Sequence, residues 1–259
     1  MHLRNHLLAA GLTLGLLAAG QAAFASEGST SPVIKERSWP TDGMFGSFDR
    51  AATQRGLQVY REVCSACHSL HFVAFRTLTE LGYTEDEVKA FAAQATVNDG
   101  PNDQGDMFDR PGIPADRFPS PFPNEQAAAA ANGGKAPPDL SLMAKAREDG
   151  TSYIYSLLTS YEEPPAGIEV PPSGHYNIAF PGHVVAMPPP LSPDQVTYAD
   201  GTPATVDQMA ADVAEFLTWA AEPKLEARKH TGVKVLLFLI VMTGLTFALK
   251  RKIWADVPH

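Results

Sequence analysis

The pentapeptide Cys64-Ser65-Ala66-Cys67-His68 restricts this chain more than any other stretch, because it holds the only two cysteines among 259 residues. Two thiols separated by two residues, with an imidazole directly after them, form the pattern on which heme is covalently attached. Each S–H adds across a heme vinyl group while the histidine reaches the iron. A zinc site would need two more thiol or imidazole ligands at their own spacing, and no further cysteine exists. A thioredoxin-like pair would follow a strand, whereas Gln58 to Val63 enters the motif with Val59 and Val63 at helical spacing. The motif occurs once, so one heme c is expected.

Both ends of the chain read as segments that address a membrane. Arg4, the apolar stretch Leu7 to Ala19 and the small-x-small site Ala23-Phe24-Ala25 describe a cleaved signal peptide over 1–25. Near the other end, Val233 to Leu249 is an apolar run whose helical length is about 26 Å, slightly under the hydrocarbon thickness of a bilayer. Lys234 can snorkel on one side and Trp254 can sit at the opposite interface. We place a transmembrane anchor at 229–250 and a cytoplasmic tail at 251–259, because Lys250-Arg251-Lys252 follow the run and short basic tails stay inside. The body between, 26–228, is then a periplasmic mono-heme domain. It carries 14 Lys and Arg against 28 Asp and Glu, a net charge of −14. So acidic a surface repels nucleic acid and anionic lipid and attracts cationic partners.

Within that body the periodicities predict a mainly α fold with long Pro/Gly-rich loops, a cytochrome c-like heme domain plus one C-terminal transmembrane helix. Ser26 to Trp39 reads as an extended arm. One helix should run from Asp49 or Thr53 into the heme motif, and Leu70 to Glu80 continues with apolar residues at helical spacing. Thr84-Glu85-Asp86-Glu87 is a capping box that starts another helix. From Asn98 to Asn124, glycine, proline and acids predict an irregular loop over the heme with Asp99, Asp103, Asp106 and Asp109 outward. Helices are expected at Glu125 to Ala131, from Pro137 through Arg147 with Asp139 as N-cap, and at Tyr153 to Ser160. Thr205 to Ala221 reads as an amphipathic helix running almost directly into the span.

A heme iron that only carries electrons takes a second axial ligand, and thioether sulfur raises its potential by favouring ferrous iron. Met44 lies in the arm, Met143 and Met209 have the spacing of core residues, and Met107 sits among acids. Met187 stands after Val184-Val185-Ala186 and before three prolines that stiffen the backbone. It is the favoured candidate, with His175, His183 and His71 as rivals.

Taken together, these stretches resemble the cytochrome c1 family, the heme subunits of the cytochrome bc1 complex, in their alphaproteobacterial form. The likeness is carried by Val63 to Ser69, Tyr83 to Glu87, Asp99-Gly100-Pro101-Asn102, Met107-Phe108, Pro137-Pro138-Asp139-Leu140-Ser141, Ser156 to Thr159, Phe180-Pro181-Gly182 and Trp219 to Pro223. The resemblance implies His68 and Met187 as the metal ligands, Cys64 and Cys67 as attachment points, and Pro138, Arg147 and Tyr153 beside the heme. Arg147 would face a propionate, and a guanidinium fork suits a carboxylate. Some bacterial members have a disulfide before the methionine; this chain has no cysteine there.

The function implied is electron transfer within the ubiquinol–cytochrome c reductase, from the Rieske iron–sulfur protein to a soluble or tethered cytochrome c, beside cytochrome b in a bacterial inner membrane. No residue is expected to catalyse bond-making by itself. An alternative is a free-standing membrane-anchored electron shuttle, which would want a long flexible linker before its anchor. A heme enzyme or gas sensor would need an open iron position.

Overall fold

A computed structural model describes residues 31–257, so the expected signal peptide lies outside the described residues. The fold is mainly helical, with two short antiparallel ladders and one long apolar helix at the end. From 31 to 39 the chain is extended and bound along its length: Lys35 donates its amide to Ser156 Oγ at 2.8 Å, and Trp39 Nε1 donates to Ser152 Oγ at 2.8 Å.

Helix α1, Arg50–Glu62, starts where Asp49 accepts the amides of Ala51 and Ala52 at 2.9 and 3.2 Å, satisfying two of the free N–H groups of a helix start. Its buried face is Ala52, Thr53, Gly56, Leu57, Val59 and Tyr60. A seven-residue 3₁₀ segment, Phe75–Leu81, takes the place of the predicted helical continuation and closes on Gly82 at φ +97°. Helix α2, Glu85–Ala92, begins with the predicted capping box: Thr84 Oγ accepts the Glu87 amide, and Glu87 accepts the Thr84 amide.

The loop expected over 98–124 is partly regular. Strands β1, Thr96–Asp99, and β2, Phe108–Pro111, pair antiparallel with Thr96 opposite Pro111 and Asp99 opposite Phe108. Arg110 closes the hairpin by donating to Asp99 and, at 2.6 and 3.0 Å, to Asp116. Asp99 is therefore a paired acid, though its side chain stays 43% exposed as an outer residue would. Helix α3, Glu125–Ala131, has the predicted bounds, with Asn124 as cap.

Helix α4 is only Met143–Ala146, and α5 is Gly150–Thr159. Strands β3, His175–Tyr176, and β4, Val184–Val185, form the second ladder. Helix α6, Val206–Ala221, is the centre of the domain and packs on α1, α4 and α5. It is not amphipathic in situ, because even Asp212 and Glu215 are buried among its apolar residues. Where α1 crosses α6 only glycine fits: a Cβ on Gly56 would lie 2.1 Å from the Asp212 carbonyl oxygen.

Helix α7, Leu225–Ile253, follows after Glu222, Pro223 and Lys224. Glu222 braces the junction by accepting from Arg228 and pairing with Lys145 at 3.3 Å. Its 29 residues, long and apolar enough to cross a membrane, extend about 44 Å.

Candidate functional site

Helix α1 stops at Glu62, and the heme motif is a tight 3₁₀ turn, Cys64–Ala66, in which both Cys67 and His68 donate their amides to the Cys64 carbonyl at 3.1 and 2.9 Å. The cysteines form no disulfide; Cys64 is half-buried and Cys67 exposed. Burial, and then the neighbouring Cys67, push the Cys64 thiol up to about 12, so it stays protonated.

His68 Nδ1 lies 2.8 Å from the carbonyl oxygen of Pro138. A carbonyl only accepts, so Nδ1 carries the hydrogen and Nε2 presents a bare lone pair. Burial lowers the His68 pKa, against the Pro138 contact and Asp139, which leaves the imidazole neutral as a metal ligand requires. The Pro138 carbonyl is itself held by a seam between two segments. Asp139 accepts from Ser69 Oγ, the His71 amide and the Ser141 amide at 2.7, 2.8 and 2.8 Å, and Leu140 donates its amide to the Ser69 carbonyl at 2.9 Å. Burial pushes Asp139 up, but the hydrogen bonds from Ser141, His71 and Ser69 outweigh it and hold the carboxyl below its usual range. Asp139 thus caps no helix: α4 starts later, and the expected Pro137-to-Arg147 helix is shortened because this carboxylate is spent on the seam. Tyr60 adds a further tie from α1, its hydroxyl donating to the His68 carbonyl at 3.1 Å.

A second group gathers around α5. Tyr153 is buried, with the exposed Arg147 guanidinium 6.0 Å from its ring centre. Arg147 donates to the Ala146 carbonyl, and among the described residues no carboxylate pairs with it. Met187 is half-buried, and its carbonyl accepts from the Tyr161 hydroxyl at 3.1 Å. Burial, and then Tyr153 nearby, raise the Tyr161 pKa, so the hydroxyl keeps its hydrogen. Tyr161 bridges Asn177, whose side chain donates to the Leu157 carbonyl at 2.8 Å. The Met187 loop therefore hangs from α5. Tyr161 escaped the sequence reading; its one signal was an aromatic residue directly after a helical apolar stripe.

The rival ligands are engaged or peripheral. His183 sits in the left-handed region at φ +59°, with Nε2 3.2 Å from the Ser31 carbonyl; His175 is in β3, and His71 is exposed. Met209 is core, while Met44 and Met107 are exposed. Cys64, Cys67, His68 and Pro138 form one contiguous group; Arg147 stands over the Tyr153 ring, and Met187 is tied to Tyr161.

The donor set fits a c-type heme: two cysteines outside any disulfide, one neutral imidazole with Nε2 open, one thioether beside prolines, and a guanidinium that no carboxylate pairs with among the described residues. Among the described residues no three His, Cys, Asp or Glu side chains gather as a metal cluster would need. The family model described as Cytochrome C1 family matches residues 39–257. The chain belongs to the cytochrome c1 family.

Its cytochrome c1 relatives are close over most of their length. Cytochrome c1 of Rhodospirillum rubrum is 51% identical over 272 residues, covering 99% of this chain and 98% of that protein. The Arabidopsis thaliana protein "Cytochrome c1 1, heme protein, mitochondrial" is 49% identical, covering 95% of this chain and 80% of that one. The Candida albicans "Cytochrome b-c1 complex catalytic subunit, mitochondrial" is 50% identical, covering 85% and 77%. As in a cytochrome c1, the cofactor of this chain is heme, and the single motif gives it one.

Proposed function

We infer that this chain is the heme-bearing electron-transfer subunit of a quinol–cytochrome c reductase, the bc1 complex. The observation that carries the reading is the His68 Nδ1 contact with the Pro138 carbonyl at 2.8 Å, which leaves the Nε2 lone pair free to bind iron. When bound, the heme supplies a one-electron ferric–ferrous couple. Cys64 and Cys67 would hold the heme through thioether bonds, His68 Nε2 and Met187 Sδ would hold its iron, and Arg147, over the Tyr153 ring, would offset a propionate charge.

On this reading electrons arrive from a Rieske iron–sulfur protein and leave to a cytochrome c, with cytochrome b as the membrane neighbour. The leader 1–25 is removed, 26–228 is periplasmic, 229–250 spans the inner membrane and 251–259 is cytoplasmic. The brief connection from α6 to α7, braced by Glu222, supports a fixed subunit over a tethered shuttle, which would need slack to travel. Solubilising membranes in mild detergent and purifying through a tag on this chain should bring down a cytochrome b and an iron–sulfur protein. Recovery of the chain alone would overturn the assignment.

A further inference from the structure

Between the buried side chains of Trp39 and Phe48 the chain makes a turn that carries two apolar residues outward, Met44 at 55% exposure and Phe45 at 82%. Its position is set by α7. Glu226 accepts the Phe48 amide at 2.8 Å; one helical turn further on, Lys229 Nζ donates to the Thr41 and Gly46 carbonyls at 2.6 and 3.2 Å. The tip, Met44 to Ser47, then shares a cleft with Lys229, His230 and Val233. The turn therefore descends α7 from Glu226 to Val233, about 10 Å along the axis. Its tip arrives where the apolar run Val233 to Leu249 begins.

We propose that Met44 and Phe45 seat in the interfacial layer of the bilayer, a second membrane contact beside the span. The proposal rests on α7 crossing the membrane. Apolar side chains at that depth gain by leaving water, and Met44 and Phe45 share their cleft with Val233, the first residue of the apolar run in which Leu236 and Leu237 are also exposed. Arg228, His230 and Lys234 are exposed on α7 around the same level, where long basic side chains keep their charged ends in the polar layer. Lys229 locks the turn to the helix, so wedge and span move as one body. A lone helix leaves rotation about its axis free, whereas a second contact off that axis opposes it. The orientation of the heme domain above the membrane is thereby restricted.

Lipid and a neighbouring transmembrane protein are separable occupants. The full-length, heme-loaded chain in its own membranes, with p-benzoylphenylalanine replacing Phe45 or, in a second variant, Met44, should form phospholipid adducts on illumination. The yield should match that of the same probe at Val235 and exceed by several-fold that at Gln104, on the exposed hairpin turn. Adducts only to another polypeptide, or none at both positions, would overturn the proposal. Absence of lipid adducts at Val235 as well would overturn the span and the proposal together.

Discussion

Arg55 of α1 holds the buried carboxylate of Asp212 in α6 with two hydrogen bonds, Nε to Oδ2 at 3.0 Å and Nη2 to Oδ1 at 2.9 Å. Arg55 also donates to Asp200 at 2.9 Å. This fork ties the helix that delivers the heme motif to the helix at the centre of the core. The Asp212 side chain is 1% exposed, so it has no recourse to water.

Removing the guanidinium should leave that carboxylate buried with no counter-ion and only the Gln208 amide, at 3.0 Å, still donating to it. Arg55→Ala is expected to destabilise the holoprotein by about 3 kcal/mol, whereas Arg55→Leu combined with Asp212→Leu should cost less than the single change. Urea unfolding followed by heme absorbance measures both. Equal losses would mean that the pair is solvated.

Replacing Met187 with Leu removes the thioether but keeps the volume. Heme should stay attached through Cys64 and Cys67, and the midpoint potential should fall by on the order of 100 mV or more. Redox titration checks this; an unchanged midpoint would send the sixth position to another side chain. Carbon monoxide should bind the reduced variant and leave the parent protein alone.

The seam beside His68 predicts a split between side chain and backbone. Asp139→Ala strands the Ser69, His71 and Ser141 donors and should cost about 2 kcal/mol, with a shifted heme potential because the Pro138 carbonyl loses its support. Pro138→Ala keeps the carbonyl and should leave the potential near its parent value. Potentials that move equally in both variants would show that the ring of Pro138 matters, and not the seam.

Glu215 sets a pH dependence. Burial, partly offset by the Asp49 amide at 2.8 Å and helped by the Asp49 and Asp212 charges, raises its pKa from 4.5 to about 7. The folded state therefore binds the extra proton, so this group's contribution to stability is whole below 4.5 and is lost as pH rises through about 7. Glu215→Gln keeps an acceptor for Asp49 and should flatten that part of the curve. Denaturation midpoints at intervals across the window test it; parallel curves for parent and variant would refute it.

Features encoded within a few neighbouring residues were legible before any fold was known. The Cys64–His68 motif, the Thr84 capping box, the bounds of α3 and the apolar run of α7 each depend on contacts one or two helical turns away, and the start of α1 was narrowed to Asp49 or Thr53, of which the fold uses Asp49. The preference for Met187 over Met143 and Met209 also came from local spacing.

Other features needed tertiary structure because their partners are distant in the chain. Nothing near Asp139 says that its carboxylate will serve Ser69 and His71 rather than cap a helix, and this choice leaves α4 short. The 98–124 loop gains a ladder because Arg110 finds both Asp99 and Asp116. Tyr161 becomes the hook for Met187 only once α5 and the second ladder meet. Sequence alone supplied the residues proposed to grip a heme and the run apolar enough to cross a membrane. The fold decided which carbonyl orients the imidazole and which helix holds the sulfur loop, because a hydrogen bond is specified by where both partners finish and periodicity describes only one of them.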